Sequence, residues 1–179
     1  DSGHFAQLLL ICRNYSLHYL RLPSEQYMFI TSCENPRMAA YRDAVCSPEA
    51  PLDIDADWLA DDLFICPSFK GRMNRQTQWM CSTYNFQPKR TLFLASGMTA
   101  YRMAVSGMGL TFQNAAYSTF VKTKERPLFI MPGGKATQHH VFALFKGEPR
   151  PGLQQDFMRL LHDRMSTAIY GEVTPMEYM

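Results

Sequence analysis

Residues 96–114 read SGMTAYRMAVSGMGLTFQN, and their grammar is helix, glycine turn, strand. Met98, Tyr101, Val105 and Met108 recur at three- and four-residue spacing, so one face of the helix can be buried against a sheet. Gly107 can supply the left-handed residue that ends a helix, and Gly109 lets the backbone turn closely into Leu110-Thr111-Phe112. Passages of this kind are commonly packing devices in an α/β layer, so the order of the elements around this one carries the argument.

Outward from that stretch, strands alternate with helices. Residues 5–12 (FAQLLLIC) form a continuous apolar run, as a strand buried on both faces would. Residues 27–31 (YMFIT) read as a second strand, closed by the turn signal Asn35-Pro36. A polar, proline-marked connection over 47–51 leads to DIDADWLADDLFICPSF. There Asp57 is expected to cap a short helix running to Asp62, and residues 63–66 form a strand that Pro67 ends. A helix is expected over 74–84, with Pro88 beyond its end, and strands over 90–94, 127–131 and 140–145. A last helix covers 152–162. This alternation predicts a mostly parallel sheet.

Composition excludes several function classes. The 179 residues suit one globular domain or two small lobes, and 46% hydrophobic against 19% charged content supports a real core. Net charge is only +2, with Lys and Arg scattered, so these residues make a poor nucleic-acid surface by themselves. No apolar run approaches the ~20 residues of a membrane span, and no secretory leader pattern opens the chain. Cys12, Cys33, Cys46, Cys66 and Cys81 are odd in number and lack a close C-x-x-C pair. That argues against a disulfide framework and a zinc knuckle, and for a reducing cytoplasm. Twelve methionines suit an adaptable apolar pocket or core.

Sites of catalysis or metal binding find no support. Asp53, Asp55 and Asp57 imitate a calcium loop, but Trp58 stands where its glycine belongs and Phe64 where its bidentate glutamate belongs. Pro132-Gly133-Gly134-Lys135 lacks the spacing and the Ser/Thr of a phosphate loop and reads as a plain turn. His139 and His140 are adjacent, so on a strand they point to opposite faces. Cys66, at a strand end, comes without a nucleophile signature and reads as a buried structural cysteine. No catalytic residue, metal or cofactor is assigned.

From Leu17 onward the chain resembles the effector-binding domain of LysR-type transcriptional regulators. Residues 20–30 (LRLPSEQYMFI) match that family's crossing strand, with Asn35-Pro36 at its turn. Residues 58–65 (WLADDLFI), the glycine turn SGMGL at 106–110, and residues 141–145 and 157–161 match later phrases. The resemblance implies an α/β fold of the type II periplasmic-binding-protein kind, two Rossmann-like lobes joined by two crossing strands. It implies that residues 1–19 end a first lobe, 20–131 form the second with the crossing strands, 132–165 close the first and 166–179 are a tail. The family's proline after the glycine-turn strand is replaced by Asn114, so the usual turn there lacks its proline. The strand-helix-strand-helix start of the first lobe and the helix-turn-helix have no counterpart in these residues. The chain is thus expected to be a piece of a longer protein, its first lobe incomplete.

By the same resemblance, a small-molecule effector sits between lobes, at strand ends and helix starts. The matching positions are Pro67, Ser68 and Phe69, then Ser96, Met98 and Thr99, then Thr111 and Phe112, with Arg13 from the first lobe. Ser68 and Thr99 could bond a carboxylate, one candidate for the effector, while Phe69, Met98 and Phe112 supply an apolar wall. Ser68 and Ser96 serve equally well as helix caps. The expected partners are that effector, further copies of the chain in a dimer or tetramer, and DNA only through a separate helix-turn-helix domain. A solute-binding protein for transport shares the fold and is the alternative; an enzyme would need a convergent nucleophile, base and oxyanion site.

Overall fold

The computed structural model describes residues 17–67, 72–134, 137–146, 152–170 and 177–178. The strand expected over 5–12 lies outside them. The chain divides into two compact units, one of Gln26–Gln138 and one of Asp1–Glu25 with His139–Met179. Two strands cross that boundary: β1 (Leu17–Ser32), sixteen residues long, and β6 (Thr137–Lys146).

In the larger unit β1 is flanked by β4 (Thr111–Asn114) and β5 (Pro127–Ile130), antiparallel to both, with Phe29 opposite Phe112 on one side and Ile130 on the other. β2 (Leu63–Pro67) and β3 (Arg90–Leu94) pair in parallel, and Leu110 bridges in parallel to Phe64. The strands therefore form two sheets, one in which β4, β5 and β7 (Glu177–Tyr178) all run antiparallel to β1 and a separate parallel pair of β2 and β3, which corrects the expectation of a mostly parallel sheet. Strand-helix alternation carries no information about a long strand that runs through both units and meets its neighbours head to tail.

Helix α1 is confined to Ala56–Leu59, and its cap is Asp55, whose carboxylate accepts the Asp57 N–H at 2.7 Å, not Asp57 as expected. Asp55 is extended whereas Asp57 already lies in the first turn, so only Asp55 can turn its side chain back onto free amides. Asp53 is engaged elsewhere, accepting the Gly133 N–H at 2.7 Å, so the mock calcium loop and the mock phosphate loop hold each other. Helix α2 (Arg72–Thr83) ends on Asn85 at φ 49°, and the Phe86 N–H reaches back to the Cys81 carbonyl at 2.9 Å. That closure turns Phe86 into the core, where its ring lies 4.9 Å from Phe29 and 5.2 Å from Phe64. Phe112 joins at 5.3 Å from Phe29. Each such pair adds ~0.5–1.5 kcal/mol beyond burial alone.

The helix of the opening stretch is α3 (Gly97–Met103), which continues through a wider π turn, Ala104–Met108, to the glycines. Gly107 adopts φ 90°, and a Cβ there would lie 2.6 Å from the Glu34 carbonyl carbon; a Cβ on Gly109 would strike the Leu63 carbonyl oxygen. The turn is thereby pressed between the end of β1 and the start of β2. Side chains lock it. Thr31 Oγ1 donates to the Gly109 carbonyl at 2.7 Å, and Asn35 Nδ2 donates to Thr31 Oγ1 at 3.2 Å and to Asp62 Oδ2 at 2.5 Å. Asp62 Oδ1 accepts the Leu63 N–H at 2.7 Å. Thr31, Asn35 and Asp62 are all buried.

In the smaller unit, Leu20 and Leu22 of β1 pack on Met158 of α5 (Leu153–Tyr170), with Leu161 and Met165 alongside. The helix outruns its expected end at 162 because Met165 and Ser166 extend the stripe of Met158 and His162 along the sheltered face. β7 (Glu177–Tyr178) pairs antiparallel with Leu20 and Arg21.

Asn35→Ala should lower unfolding stability by ~2–3 kcal/mol, because it strips a buried carboxylate of its side-chain donor. Urea denaturation at pH 7 would register this as a lower midpoint; a loss below ~0.5 kcal/mol would mean that the polar lock contributes nothing.

Candidate functional site

The parallel strands of the larger unit deliver several side chains to one edge. Pro67 ends β2 opposite Leu94 at the end of β3, and two residues beyond Leu94 the chain enters α3. Ser96 caps that helix, its hydroxyl accepting the Thr99 N–H at 3.3 Å. Met98 is half exposed, and Ser96 and Thr99 are exposed on the same turn. The structure thus brings Pro67, Ser96, Met98 and Thr99 to one edge.

Thr111 and Phe112 lie deeper. The Thr111 hydroxyl donates to the Ile65 carbonyl at 2.7 Å, and the Phe112 ring is committed to the core beside Phe29 and Tyr27. Ser68, Phe69 and Arg13 lie outside the described residues. Asn114 makes its turn without a proline, its side-chain oxygen accepting the Ala116 N–H at 2.9 Å.

A residue that sequence reasoning passed over ties the edge to the strand behind it. Gln113 is completely buried on β4, and its Nε2 donates to the Gly97 carbonyl at 2.7 Å and approaches Thr111 Oγ1 at 3.5 Å. A Cβ on Gly97 would lie 2.9 Å from the Tyr117 hydroxyl and 3.0 Å from Gln113 Oε1, so both side chains sit directly over this glycine. Tyr117 heads the short helix α4 (Tyr117–Phe120), and its ring stacks on Tyr101 at 5.8 Å. Burial pushes the Tyr101 phenol up to about 12. The available signal was a glutamine directly following the apolar run 110–112, where alternation alone did not reveal which face it took.

Among the described residues no group of three or more His, Cys, Asp or Glu side chains is arranged to hold a metal ion. Cys66 is buried with its sulfur 4.0 Å from the Thr77 hydroxyl, and burial raises its thiol above the ordinary value. Burial raises Cys81 likewise, with neighbouring Cys66 adding to it. A neutral, enclosed thiol is a poor nucleophile.

No family model matches the chain, and no curated protein matches it in sequence. Solved structures do. The effector-binding domain of BenM with its effector benzoate superposes with a TM-score of 0.56 at 13% identity, covering 89% of this chain and 67% of that one. The CcmR regulatory domain of Synechocystis PCC6803 in complex with 2-PG gives 0.60 at 14% identity, over 83% of this chain and 67% of that one. The regulatory domain of MetR, a LysR family regulator from N. meningitidis, gives 0.55 at 11%, over 91% and 68%. The fold is that of a LysR effector-binding domain. The α/β class with type II periplasmic-binding-protein topology, which the family resemblance implied, is the one these neighbours carry, and they are regulatory domains, not enzymes.

Because the folded LysR-like domain holds the Cys66 and Cys81 thiols above the ordinary 9.0, it resists an ionisation that the unfolded chain undergoes. Their contribution to stability is therefore complete below pH 9 and is lost as the pH rises above it. Iodoacetamide at pH 8 should alkylate Cys66 at least about tenfold more slowly in the native protein than in urea, read by peptide mass spectrometry. Equal rates would mean an accessible, reactive thiol and would reopen an enzymatic reading.

Proposed function

We propose that this chain is the effector-sensing domain of a LysR-type transcriptional regulator, binding a small molecule through the edge formed by Pro67, Ser96, Met98 and Thr99. One observation carries the reading: the fold shared with BenM and CcmR, whose domains hold benzoate and 2-PG, combined with exposed polar and apolar side chains gathered at the strand ends of the larger unit. Ser68 and Phe69, which directly follow Pro67 in sequence, belong to the same proposal. The Ser96 and Thr99 hydroxyls suit hydrogen bonding to a carboxylate, and Met98 supplies adaptable apolar surface. Thr111 and Phe112 support the site from behind, one tied to β2 and the other anchored in the core.

The domain would act by population shift. An effector moves an equilibrium only by its differential affinity for two arrangements, so the signal is the free-energy difference between those arrangements with and without ligand. In such a regulator the response reaches DNA through a helix-turn-helix domain and is passed on within a homo-oligomer, in the cytoplasm. Among the described residues no helix is long and apolar enough to cross a membrane.

A thermal-shift screen of small carboxylates, benzoate and 2-PG among them, should find a compound that stabilises the protein by ~2.7 kcal/mol at about 100 times its dissociation constant. For a chain of this size that is a rise of roughly 5–10 °C. Ser96→Ala should cost ~1 kcal/mol of stability as a lost cap and also weaken that compound's binding. A broad screen without a single stabilising compound would sink the sensor reading.

A further inference from the structure

Among the described residues two buried polar atoms of α3 and the strand beneath it find no partner, Gln113 Oε1 under the first turn and the Tyr101 hydroxyl. Such atoms cost stability, because folding strips their water and returns no bond. The orientation of the Gln113 amide is not arbitrary: its nitrogen must face the Gly97 carbonyl, an acceptor 2.7 Å away, so its oxygen is turned toward Gly97 Cα and the Tyr117 hydroxyl. The side chains that these contacts join to Gly97 are Gln113, Tyr117, Tyr101 and Thr111, all uncharged. An anion would meet a carbonyl oxygen with no cation to balance it, and an ammonium would lose its hydration with no counter-charge. A hydroxyl suits Gln113 Oε1, to which it can donate while its own oxygen accepts from a tyrosine O–H.

Resting on the sensing function proposed above, we propose that the effector is a hydroxylated small molecule whose hydroxyl donates to Gln113 Oε1, so that Gln113 determines specificity at this site. Tyr117 is the movable wall of the corner. It is only partly buried, and it opens a four-residue helix that has no side-chain cap, an element with little stability of its own.

The test is calorimetry and thermal shift on the full chain with paired probes, each a hydroxylated compound and its counterpart lacking the hydroxyl: benzoate with its hydroxy derivatives, propionate with lactate, butyrate with 3-hydroxybutyrate. The wild-type protein should bind the hydroxylated member of one pair at least about tenfold more tightly, since a site built around a hydrogen bond rejects the analogue that lacks it. Gln113→Met should reduce that preference to less than about threefold. Tyr101→Phe guards against misfolding as an explanation: it should leave the melting temperature of the free protein unchanged or higher, yet weaken the hydroxylated probe. A purely structural role for Tyr101 could not produce both effects. Equal binding of paired probes, or a preference that survives Gln113→Met, overturns this inference and leaves the sensor reading standing. Failure of every probe here and of the broader carboxylate screen overturns both.

Discussion

The arrangement of the larger unit depends on one buried polar lock, in which Asn35 bridges Thr31 and Asp62 while Thr31 holds the Gly109 carbonyl. Three stretches distant in sequence meet there: the end of β1 with the turn that follows it, the entry to β2 and the glycine turn after α3. Burying a carboxylate with an amide partner is not an economical way to stabilise a core. Its value lies in direction, since hydrogen bonds tolerate little displacement and a leucine cluster in the same place would permit many registers. Gly107 and Gly109 make the approach possible, because any Cβ at either position would collide with backbone.

From that lock the candidate site follows mechanically. With the glycine turn held against Leu63, Leu110 falls into parallel register with Phe64, which sets Thr111 beside the Ile65 carbonyl. Continuing two residues along β4 brings Gln113 under the first turn of α3, where it fixes the Gly97 carbonyl. The exposed side chains Ser96, Met98 and Thr99 are therefore held by a chain of contacts that begins at Asn35, on the far side of the unit. Rigid support of this kind suits a binding surface that must discriminate among small molecules. Leaving the buried Gln113 Oε1 without a partner among the described residues gives up stability that a ligand contact can restore.

The aromatic cluster supplies cohesion where the lock supplies register. Phe29, Phe64, Phe86 and Phe112 come from three strands and a helix end, and their rings meet edge-on or tilted. Phe112 illustrates the limits of inference by position. The strand after the glycine turn was expected to offer it as an apolar wall for a ligand, and its ring is instead one of the contacts that close the core around β1.

Much of this was legible in the linear chain. Helix-period spacing over 98–108, the glycines at 107 and 109, the prolines at 36 and 67 and the apolar runs are local signals, since each acts through the backbone within a few residues of itself. They sufficed for the element order, while the fold class came from the resemblance of the ordered phrases to a known family. Three things needed the tertiary structure. Strand direction was one, because β1 is antiparallel to β4 and β5 through partners some 80 to 100 positions away. The choice of Asp55 over Asp57 as cap was another, decided by which residue stays extended as the chain enters the helix. The third was Gln113: a glutamine looks the same in sequence whether it faces water or a buried carbonyl, and only the packing of β4 against α3 took its amide out of solvent and gave it a role.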